Sequence, residues 1–567
     1  MRAASTSYTP RKPHDTALYR IVREHLATFV AHTEATYAAP LPRYVVDAFE
    51  RYIACGDFSR GFIRCHCDAC AHDVLVPFSC KGRGVCPSCC ARRMCNEAAS
   101  ITDRILPNAP VRQWVLSLPF ELRGLAATKP DVLTALGRIF AEEIARVTKR
   151  LADVAGAETG AISFPQRFGG SLNLHVHFHT LAIDGVFEKS DDSVRVHEAP
   201  PPEKADVEDV AKRVRDRALR WLRRHRYLDE RAAEERSNEP AAAAPMDDFS
   251  RIALAGGDFL SRPFAPSKQD EHAPREKKLG RFAASHHGFD VHCAVRIAAD
   301  DDEGRERLVR YCARPPFALD RIEVLKDGRV TYLMKTARRG STHRVMSPVE
   351  FLARLAVLIP PPYFPLVRYH GVFAARSAWR HLVTPKPPAS YARPAKRKPC
   401  KDSPDAPVPA KPSPPPPALP PPLSLPRETS PSGTPAPASA LAEPVLSVAP
   451  LARDAVVPVV PVVAAVAPVA PAADPTVITV KHWNRLLEGE LFAASSRVDW
   501  QLLLHRTFGF DALTCPKCAK KMRILATIIE PAVVRKILRH LGVRADPLPL
   551  APARDPTGQT NIDFDAA

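Results

Sequence analysis

Two features that would place a protein in or across a membrane are missing from this sequence. The first residues, Met1 to Thr6, lead into polar sequence without the apolar segment of a secretion signal. The uncharged stretch from Ala455 to Ala473 has a membrane-spanning length, but four prolines interrupt it. Each would remove a helical hydrogen bond that lipid cannot replace. We therefore expect a soluble, cytoplasmic protein without a membrane partner.

The composition also limits the architecture and the kind of partner. A chain of 567 residues is too long for one ordinary core, so roughly two to four compact units are expected. Its 59 prolines must lie mostly outside helices and strands. The formal net charge of +18, with an isoelectric point near 9.4, favours a polyanionic partner, although the same charge could serve solubility alone.

Composition shifts divide the chain into five predicted parts of an α+β protein. These are a helical and four-cysteine part (1–100), a mixed strand and helix domain (101–380), a disordered Pro/Ala-rich linker (381–475), a small helical module (476–550) and a tail (551–567). Within the second part, residues 237–278 are polar and rich in Ala and Asp, which predicts a poorly ordered insertion. No internal repeat is convincing.

Nine of the fourteen cysteines lie between Cys55 and Cys95, and in a cytoplasmic protein this density favours metal over disulfides. Two CxxC pairs separated by fifteen residues have the spacing of a tetrahedral zinc site, and they predict the ligands Cys67, Cys70, Cys86 and Cys89. Such a site holds a structural Zn²⁺ and leaves no open position for catalysis.

Further cysteines leave other zinc arrangements open. A ligand exchange or a second ion could use the spare thiols Cys65, Cys80, Cys90 and Cys95. Basic residues around the cluster suit contact with DNA, although such a module could equally bind protein. Near the carboxyl end, Cys515-Pro516-Lys517-Cys518 is a possible second zinc-binding motif. One CxxC cannot fill a tetrahedral site, so His505, another chain or no metal at all remain alternatives.

A histidine-rich run predicts the second kind of metal site. In the segment Asn173 to Ile183, apolar and polar residues alternate, so a strand places Leu174, Val176 and Phe178 on one face and His175, His177 and His179 on the other. Imidazoles two residues apart on a rigid strand can hold one cation and leave positions open for water or phosphate.

The strand before this run is a second source of ligands. Residues Ala161 to Phe168 are predicted to form a hairpin with the histidine strand across Gly169-Gly170. Gln166 could supply a third, oxygen ligand from that strand.

A tyrosine in an arginine-rich helix is the candidate nucleophile. The segment from Glu306 predicts a helix stopped by Pro315-Pro316, with Tyr311 in its last turn between Arg310 and Arg314. Arginines can stabilise a developing phenolate and hold a phosphodiester. From local sequence alone an ordinary half-buried tyrosine is the simpler interpretation, and three others are equal rivals: Tyr332, Tyr363 and Tyr369.

Motifs from about Tyr44 to Arg380 together resemble the rolling-circle insertion-sequence transposases of the HUH endonuclease superfamily, in the IS-ninety-one-like group. The resemblance rests on Phe78 to Arg83, Cys86 to Met94, Val111 to Pro119, Gln166 to Gly169, Leu172 to Val186, Arg310 to Pro316 and Val367 to Val372. The tail around Trp500 to Ile524 also resembles the carboxy-terminal segment of many such transposases.

The resemblance implies a zinc-binding domain before a nuclease with a central antiparallel sheet flanked by helices. By position, His177-Phe178-His179 matches the family's metal-binding strand and Tyr311 its nucleophile. Some members carry two tyrosines four residues apart, but Arg307 takes the earlier position here, so the chain resembles the single-tyrosine members. The resemblance further implies Mg²⁺ or Mn²⁺ at the histidines and a bacterial, nucleoid-associated protein.

The leading hypothesis is thus a transposase that nicks and rejoins single-stranded DNA at element ends and target DNA through a phosphotyrosine, with possible self-association. A plasmid replication initiator or relaxase would share the metal strand and the tyrosine, but the zinc module before the nuclease argues against it. A non-catalytic zinc DNA-binding regulator would explain the charge and the cysteines, but it leaves Tyr311 and the histidine face without a role.

Overall fold

The computed structural model describes residues 12–190, 193–228, 245–255, 279–338, 341–385, 493, 496–508 and 511–554. The chain divides into two units, residues 1–392 with 474–567, and residues 393–473. The second unit lies wholly outside the described residues, as does nearly all of the expected linker. Most of the expected insertion at 237–278 also lies outside them.

The helices lie where the sequence has apolar residues at helical spacing between residues that favour helix ends. The described chain contains α1 (Ala17–Tyr37), α2 (Arg43–Ile53), α3 (Pro87–Arg104), α4 (Phe120–Thr128), α5 (Pro130–Ala152), α6 (Lys204–Arg224), α7 (Pro245–Ala255), α8 (Asp302–Cys312), α9 (Pro348–Leu358), α10 (Arg380–Val383), α11 (Trp500–Phe508) and α12 (Pro531–His540). Five of these begin on a proline, whose missing N–H has no role in a first turn: α3, α5, α7, α9 and α12.

Most strands fall in the predicted mixed domain. The described strands are β1 (Phe62–His66), β2 (Asp73–Pro77), β3 (Val111–Ser117), β4 (Gly160–Phe168), β5 (Leu174–Ile183), β6 (Gly185–Ser190), β7 (Ser193–Glu198), β8 (Ala283–His286), β9 (Phe289–His292), β10 (Arg296–Ile297), β11 (Ile322–Val324), β12 (Val330–Arg338), β13 (Ser341–Met346), β14 (Arg368–Gly371) and β15 (Arg523–Ile528).

A seven-stranded antiparallel sheet forms the centre of the mixed strand and helix domain. Its order is β14-β4-β5-β3-β9-β8, and β10 also pairs with β3. The predicted hairpin is present, because β4 and β5 pair in register from Ala161 opposite Ala182 to Gln166 opposite His177. The expected mixed fold with a central antiparallel sheet is thus confirmed.

Helices cover both faces of this sheet. On one face, Leu174, Val176 and Phe178 of β5 join the largest apolar core together with buried residues of α1, α2, α5, α6 and α9. Gly137 of α5 lets that helix approach closely, since a Cβ there would lie 2.9 Å from the Phe178 ring. The other face carries the histidines of β5, and it continues into a second core.

The second core decides which helix faces the histidines. Leu181 and Ile183, further along the histidine face of β5, pack in it with Leu308 and Val309 of α8. Burial of these apolar side chains stabilises the docking of α8 on the sheet. The histidines and the last turn of α8 therefore lie on the same side of the sheet.

The carboxy-terminal segment is not the purely helical module that its periodicity predicts. It contains β15, which pairs antiparallel with β1 and completes a three-stranded sheet in the order β15-β1-β2. Its helices also contact the amino-terminal part, because Leu503 of α11 packs on Cys95 and Ala99, and Leu538 of α12 packs on Phe62. The strand was missed because its partner lies far away in the sequence.

No helix among the described residues is both long enough and apolar enough to cross a bilayer.

Candidate functional site

The histidine face of β5 is formed as the alternation predicts. His177 and His179 are 8 % and 4 % exposed, and His175 is half-buried at the edge of the same row. The ring centroids of neighbouring histidines lie 5.0 Å apart along the strand. A metal at this face would meet imidazoles held by a strand that is hydrogen-bonded on both sides.

Several atoms on this face lack hydrogen-bond partners although they are buried. Nε2 of His179 and Oε1 of Gln166 have no partner among the described residues. Gln166 lies directly across from His177 in the β4–β5 pair, and its Nε2 donates to the backbone oxygen of Cys312 (2.7 Å). Buried polar atoms are normally paired, so these two unpartnered atoms mark a place for a ligand.

The remaining ring nitrogens fix the orientation of the two imidazoles. Nδ1 of His177 lies 2.9 Å from the backbone oxygen of His175, to which it can donate. Nδ1 of His179 lies 2.9 Å from the amide nitrogen Nε2 of Gln113 on β3, and rotation of that amide would let its oxygen accept from Nδ1–H instead. With Nδ1 donating in this way, Nε2 of a histidine is free to bind an ion.

Both imidazoles are held in the neutral form that can bind a metal. Burial, with smaller effects of nearby arginines, lowers the pKa of His177 to about 4. Burial also lowers the pKa of His179 to about 3, assisted by His177 and Arg314. Neutral imidazole is the form that ligates a cation, so both groups are ready for it at neutral pH.

His175 has a weaker claim as a ligand. The groups of three or more His, Cys, Asp or Glu whose ligand atoms all approach within 4.8 Å are, among the described residues, two groups of cysteines. The three histidines do not converge in this way. What distinguishes the three is burial, because His177 and His179 are buried and His175 is half-buried.

Tyr311 lies against the histidine row. Asp301 caps α8 by accepting from the Gly304 N–H (2.7 Å), and the helix ends at Cys312 before the two prolines. This places Tyr311 in the last turn, 43 % exposed, with its ring centroid 5.4 Å from that of His179 in an edge-to-face contact. The phenol is thus accessible to a substrate beside the two buried imidazoles.

The two flanking arginines differ in position. The guanidinium of Arg314 lies 5.2 Å from the centre of the Tyr311 ring. Arg310 instead interacts electrostatically with the thiol of Cys95 on α3, where its charge opposes the larger effect of burial, which raises the pKa of that thiol. Arg307, at the position of the second tyrosine in some relatives, is exposed and pairs with Glu303.

The rival tyrosines lie elsewhere. Tyr332 is buried in the core on the opposite face of the sheet, and Tyr363 is almost fully exposed. Tyr369 lies on β14 beneath the guanidinium of Arg380 (5.2 Å). Of the four tyrosines, Tyr311 is the one whose ring packs on His179.

A basic cavity of about 80 Å³ opens next to Gln166 and the end of α8. Its lining includes the arginines Arg83, Arg93, Arg167 and Arg314. Arg83 donates to backbone oxygens, but Nε of Arg93, Nε and Nη1 of Arg167 and Nε of Arg314 have no partner among the described residues. Burial lowers the pKa of Arg167 to about 10, which still leaves it charged at neutral pH. Guanidinium groups with N–H donors still free suit a phosphate.

The four cysteines predicted as one zinc site are not together, so that grouping is wrong. Cys86 and Cys89 meet Cys55 and Cys80, while Cys67 and Cys70 meet the distant Cys515 and Cys518. Cys80, one of the spare thiols, belongs to the first of these two groups, in agreement with the ligand exchange that the sequence left open. Spacing cannot distinguish these arrangements, because each CxxC turn presents two thiols without specifying which other pair completes the site.

The first cluster consists of Cys55, Cys80, Cys86 and Cys89. Cys55 follows α2, Cys80 follows β2, and the other two lie at the amino end of α3. Three sulfur pairs are separated by 3.4–3.7 Å: Cys80–Cys89, Cys55–Cys86 and Cys55–Cys89. Zinc–sulfur bonds of about 2.3 Å give tetrahedron edges of about 3.8 Å, whereas a disulfide bond measures about 2.05 Å. The thiols therefore fit zinc.

The structure also identifies residues that sequence reasoning missed. Gln113 lies within a motif that carried the resemblance, but only the β3–β5 pairing shows that it contacts His179. Cys55 had no CxxC signal. Arg506 of α11 is buried between Asp103 of α3 (2.5 Å) and Glu306 of α8 (2.9 Å), a contact that no local pattern indicates.

Comparisons with known proteins agree with this architecture. Residues 160–380 match a family model described as a putative transposase, and residues 21–118 match one described as a transposase zinc-binding domain. The chain is also 23 % identical over 345 residues to the transposase for insertion sequence element IS801 of Pseudomonas savastanoi pv. phaseolicola, covering 59 % of this chain and 72 % of that relative. No solved structure matches the chain.

The zinc-fitting thiols, the mixed fold and these matches define a DNA transposase. Within that class the chain belongs to the IS-ninety-one-like transposases with an amino-terminal zinc-binding domain. The replication-initiator, relaxase and regulator alternatives find no support in the comparisons.

Proposed function

We propose that this transposase nicks and rejoins single-stranded DNA at the ends of its element through a covalent bond to Tyr311, and so supports rolling-circle transposition. The observation that carries the proposal is the contact between Tyr311 and His179, with centroids 5.4 Å apart, beside the unpartnered atoms of His179 and Gln166. A phosphodiester placed there can meet a nucleophile and a cation together.

Tyr311 supplies the attacking oxygen. A free phenol has a pKa near 10, so it needs help to react at neutral pH. Arg314, over the ring, stabilises negative charge on the phenol oxygen and contacts the phosphate. The phenol oxygen bonds to phosphorus as the bond to one DNA oxygen breaks, and that oxygen takes a proton to become a free hydroxyl. Reversal by a new hydroxyl rejoins DNA.

His177, His179 and Gln166 fit a Mg²⁺ or Mn²⁺ ion, because they combine buried neutral imidazoles with a buried oxygen that lacks a partner. The ion would polarise the phosphate oxygens. Gln113 is a positioning residue: rotation of its amide lets the oxygen accept from Nδ1–H of His179, which directs Nε2 at the ion.

The basic cavity contacts a phosphate group of the strand that leads to the scissile phosphate. Arg167 and Arg314 come from the nuclease part, while Arg93 comes from the helix that carries the first cysteine cluster. Their unpartnered nitrogen atoms would hydrogen-bond to DNA phosphates. In this arrangement the zinc-binding domain contributes to the DNA path as well as to the fold.

The test uses the purified full-length chain, a labelled single-stranded oligonucleotide from the element end, and Mn²⁺. We expect a protein–DNA adduct on a denaturing gel, and Tyr311→Phe should abolish it while leaving DNA binding intact. Tyr363→Phe is the matched control, because Tyr363 is 99 % exposed and away from the histidines. Adduct formation that survives Tyr311→Phe but is lost in Tyr332→Phe or Tyr369→Phe would overturn the assignment.

The cation is tested separately from zinc. His177→Ala and His179→Ala should lose adduct formation while retaining the zinc content of the parent chain. Gln113→Leu should raise the Mn²⁺ concentration needed for half-maximal nicking by roughly 10–100-fold, the usual cost of losing such a supporting contact. Unchanged Mn²⁺ dependence in both histidine variants would exclude this ion site.

A further inference from the structure

The two CxxC turns of the second cluster share one backbone geometry. In the first turn the Cys67 N–H donates to the His72 oxygen (2.9 Å) and the Ala71 N–H to the Cys67 oxygen (2.8 Å). In the second turn the Cys515 N–H donates to the Lys520 oxygen (2.8 Å) and the Ala519 N–H to the Cys515 oxygen (2.9 Å). The two turns are therefore built with the same hydrogen bonds at the same offsets.

In both turns, the residue that follows the second cysteine is an alanine with the same backbone conformation. Ala71 has φ of 54° and Ala519 has φ of 56°, a left-handed conformation that is uncommon for alanine. Because this conformation costs energy for an alanine, the surrounding structure must stabilise it in both turns. In both turns this bend directs the chain back so that both sulfurs of the CxxC point to the same side.

A shared sheet brings the two turns together. β1 leads into the first turn, β2 leaves it, and β15 follows the second turn and pairs with β1 on the edge opposite β2. The register runs from Phe62 opposite Ile528 to His66 opposite Arg523. Two cysteine turns above a three-stranded antiparallel sheet form the architecture of a zinc ribbon.

The four sulfurs converge at the end of this sheet. Sγ of Cys67 lies 3.4 Å from Sγ of Cys518, and Sγ of Cys70 lies 3.6 Å from Sγ of Cys515. All four sulfurs lie within 4.8 Å of one another. Those separations fit a tetrahedral zinc–thiolate site and are too long for disulfides.

We propose that Cys67, Cys70, Cys515 and Cys518 bind one Zn²⁺ ion, so that both ends of the chain form a single split zinc ribbon. Each thiol gives up its proton to solvent on binding, and no oxidant is needed. The family model for the zinc-binding domain ends at residue 118, so it does not include the second pair of ligands. This inference is independent of the nicking reaction.

The ribbon closes within one chain. The same segment that carries Cys515 and Cys518 continues directly into β15, and it also supplies Arg523, which pairs with Asp68 of the first turn (2.8 Å). His505 lies on α11 and is outside the cluster, so the carboxy-terminal CxxC does not need it as a ligand.

The test measures zinc per chain in the purified full-length protein by elemental analysis. We expect two ions in the parent, one in the Cys67→Ser/Cys70→Ser variant, one in the Cys515→Ser/Cys518→Ser variant, and still one when all four are replaced. Cys65→Ala is the matched control, because Cys65 is buried in the same small core but is not part of the cluster. It should keep two ions.

Other outcomes overturn the proposal. Two ions in either double variant would show that the pair is not a ligand set, and no ion in the fourfold variant would show that the pairs belong to separate sites. If light scattering shows a dimer for the parent and a monomer for the fourfold variant, the carboxy-terminal cysteine pair of one chain completes the site of another chain. Four cysteines missing from a thiol count of the unfolded parent would indicate disulfides instead.

A ligand replacement guards against misfolding of the serine variants. Cys518→His offers a nitrogen ligand at the same place and should restore the second ion, whereas Cys518→Ser should not. Cobalt substitution gives a direct signature, since the visible spectrum of four-thiolate cobalt should shift on replacement of one sulfur by nitrogen. A spectrum identical in the parent and the Cys518→His variant would contradict ligation by Cys518.

Discussion

The two cysteine clusters differ in how far apart their ligands lie in the sequence. The first joins Cys55 to Cys89 across 34 residues, and the second joins Cys70 to Cys515 across 445. In the chain-entropy description of a cross-link, loops of these lengths restrict the unfolded chain by about 4 and about 6 kcal/mol. The longer loop therefore restricts the unfolded chain only modestly more than the shorter one, because the entropy lost on closing a loop grows with the logarithm of its length.

The surroundings of the clusters differ more than the loops do. Cys55, Cys86 and Cys89 belong to the largest core formed by the described residues, which also contains the apolar face of β5. The second cluster lies in a small core of its own with Cys65 and Met522, and two of its four thiols are partly exposed. The first cluster therefore supports the fold of the domain that contains the central sheet, whereas the second attaches the carboxy-terminal segment.

Loss of the first cluster should have the largest effect. Replacing Cys86 and Cys89 by serine removes two ligands at the start of α3 and leaves polar groups in the main core. Because structural zinc contributes on the order of 10 kcal/mol to folding, we expect loss of the cooperative thermal transition followed by circular dichroism. The Cys515→Ser/Cys518→Ser variant is the control and should keep that transition. An equal loss of the thermal transition in both variants would show that the two clusters contribute equally to the stability of the fold.

Chelation should release the second ion first. Cys70 and Cys518 are partly exposed, whereas the first cluster has one such thiol, Cys80. A chelator with a colorimetric zinc indicator should give two phases, and hydrogen exchange should speed up in β15 during the fast phase while α5 stays protected. The fast phase should be missing from the Cys515→Ser/Cys518→Ser variant. Its persistence there would assign it to the first cluster instead.

Removal of Arg506 should have an intermediate effect. Its guanidinium neutralises Asp103 and Glu306, which are both buried, and Arg506→Met leaves the two carboxylates facing each other. We expect a loss of about 3–5 kcal/mol in the free energy that docks the carboxy-terminal segment, measured by denaturant unfolding. The same change in an Asp103→Asn/Glu306→Gln background should cost much less. A similar loss in both backgrounds would mean that packing, not charge, is responsible.

The exposed pair between the two halves of the ribbon should matter least. Arg523 and Asp68 are well exposed at 61 % and 63 %, so water and salt screen their attraction. Arg523→Gln should leave the zinc content at two ions and the thermal midpoint nearly unchanged. A loss of the second ion in this variant would show that the surface pair helps to form the site.

The parts of the candidate site that sequence could predict are those formed within one strand or helix. Alternation places His177 and His179 on one face of β5, and the proline pair places Tyr311 in the last turn of α8. Neither pattern shows that α8 docks on this face of the sheet, since that depends on Leu181 packing against Leu308 and Val309.

The cysteines show the same limit most clearly. The CxxC spacing alone is enough to predict turns with paired thiols, because that geometry is local to four residues. Which pairs meet depends on the folded chain, because Cys70 and Cys515 are brought together by the pairing of β1 with β15. Strand pairing is set by packing and hydrogen bonds between distant segments, and the spacing of residues along the chain does not record it.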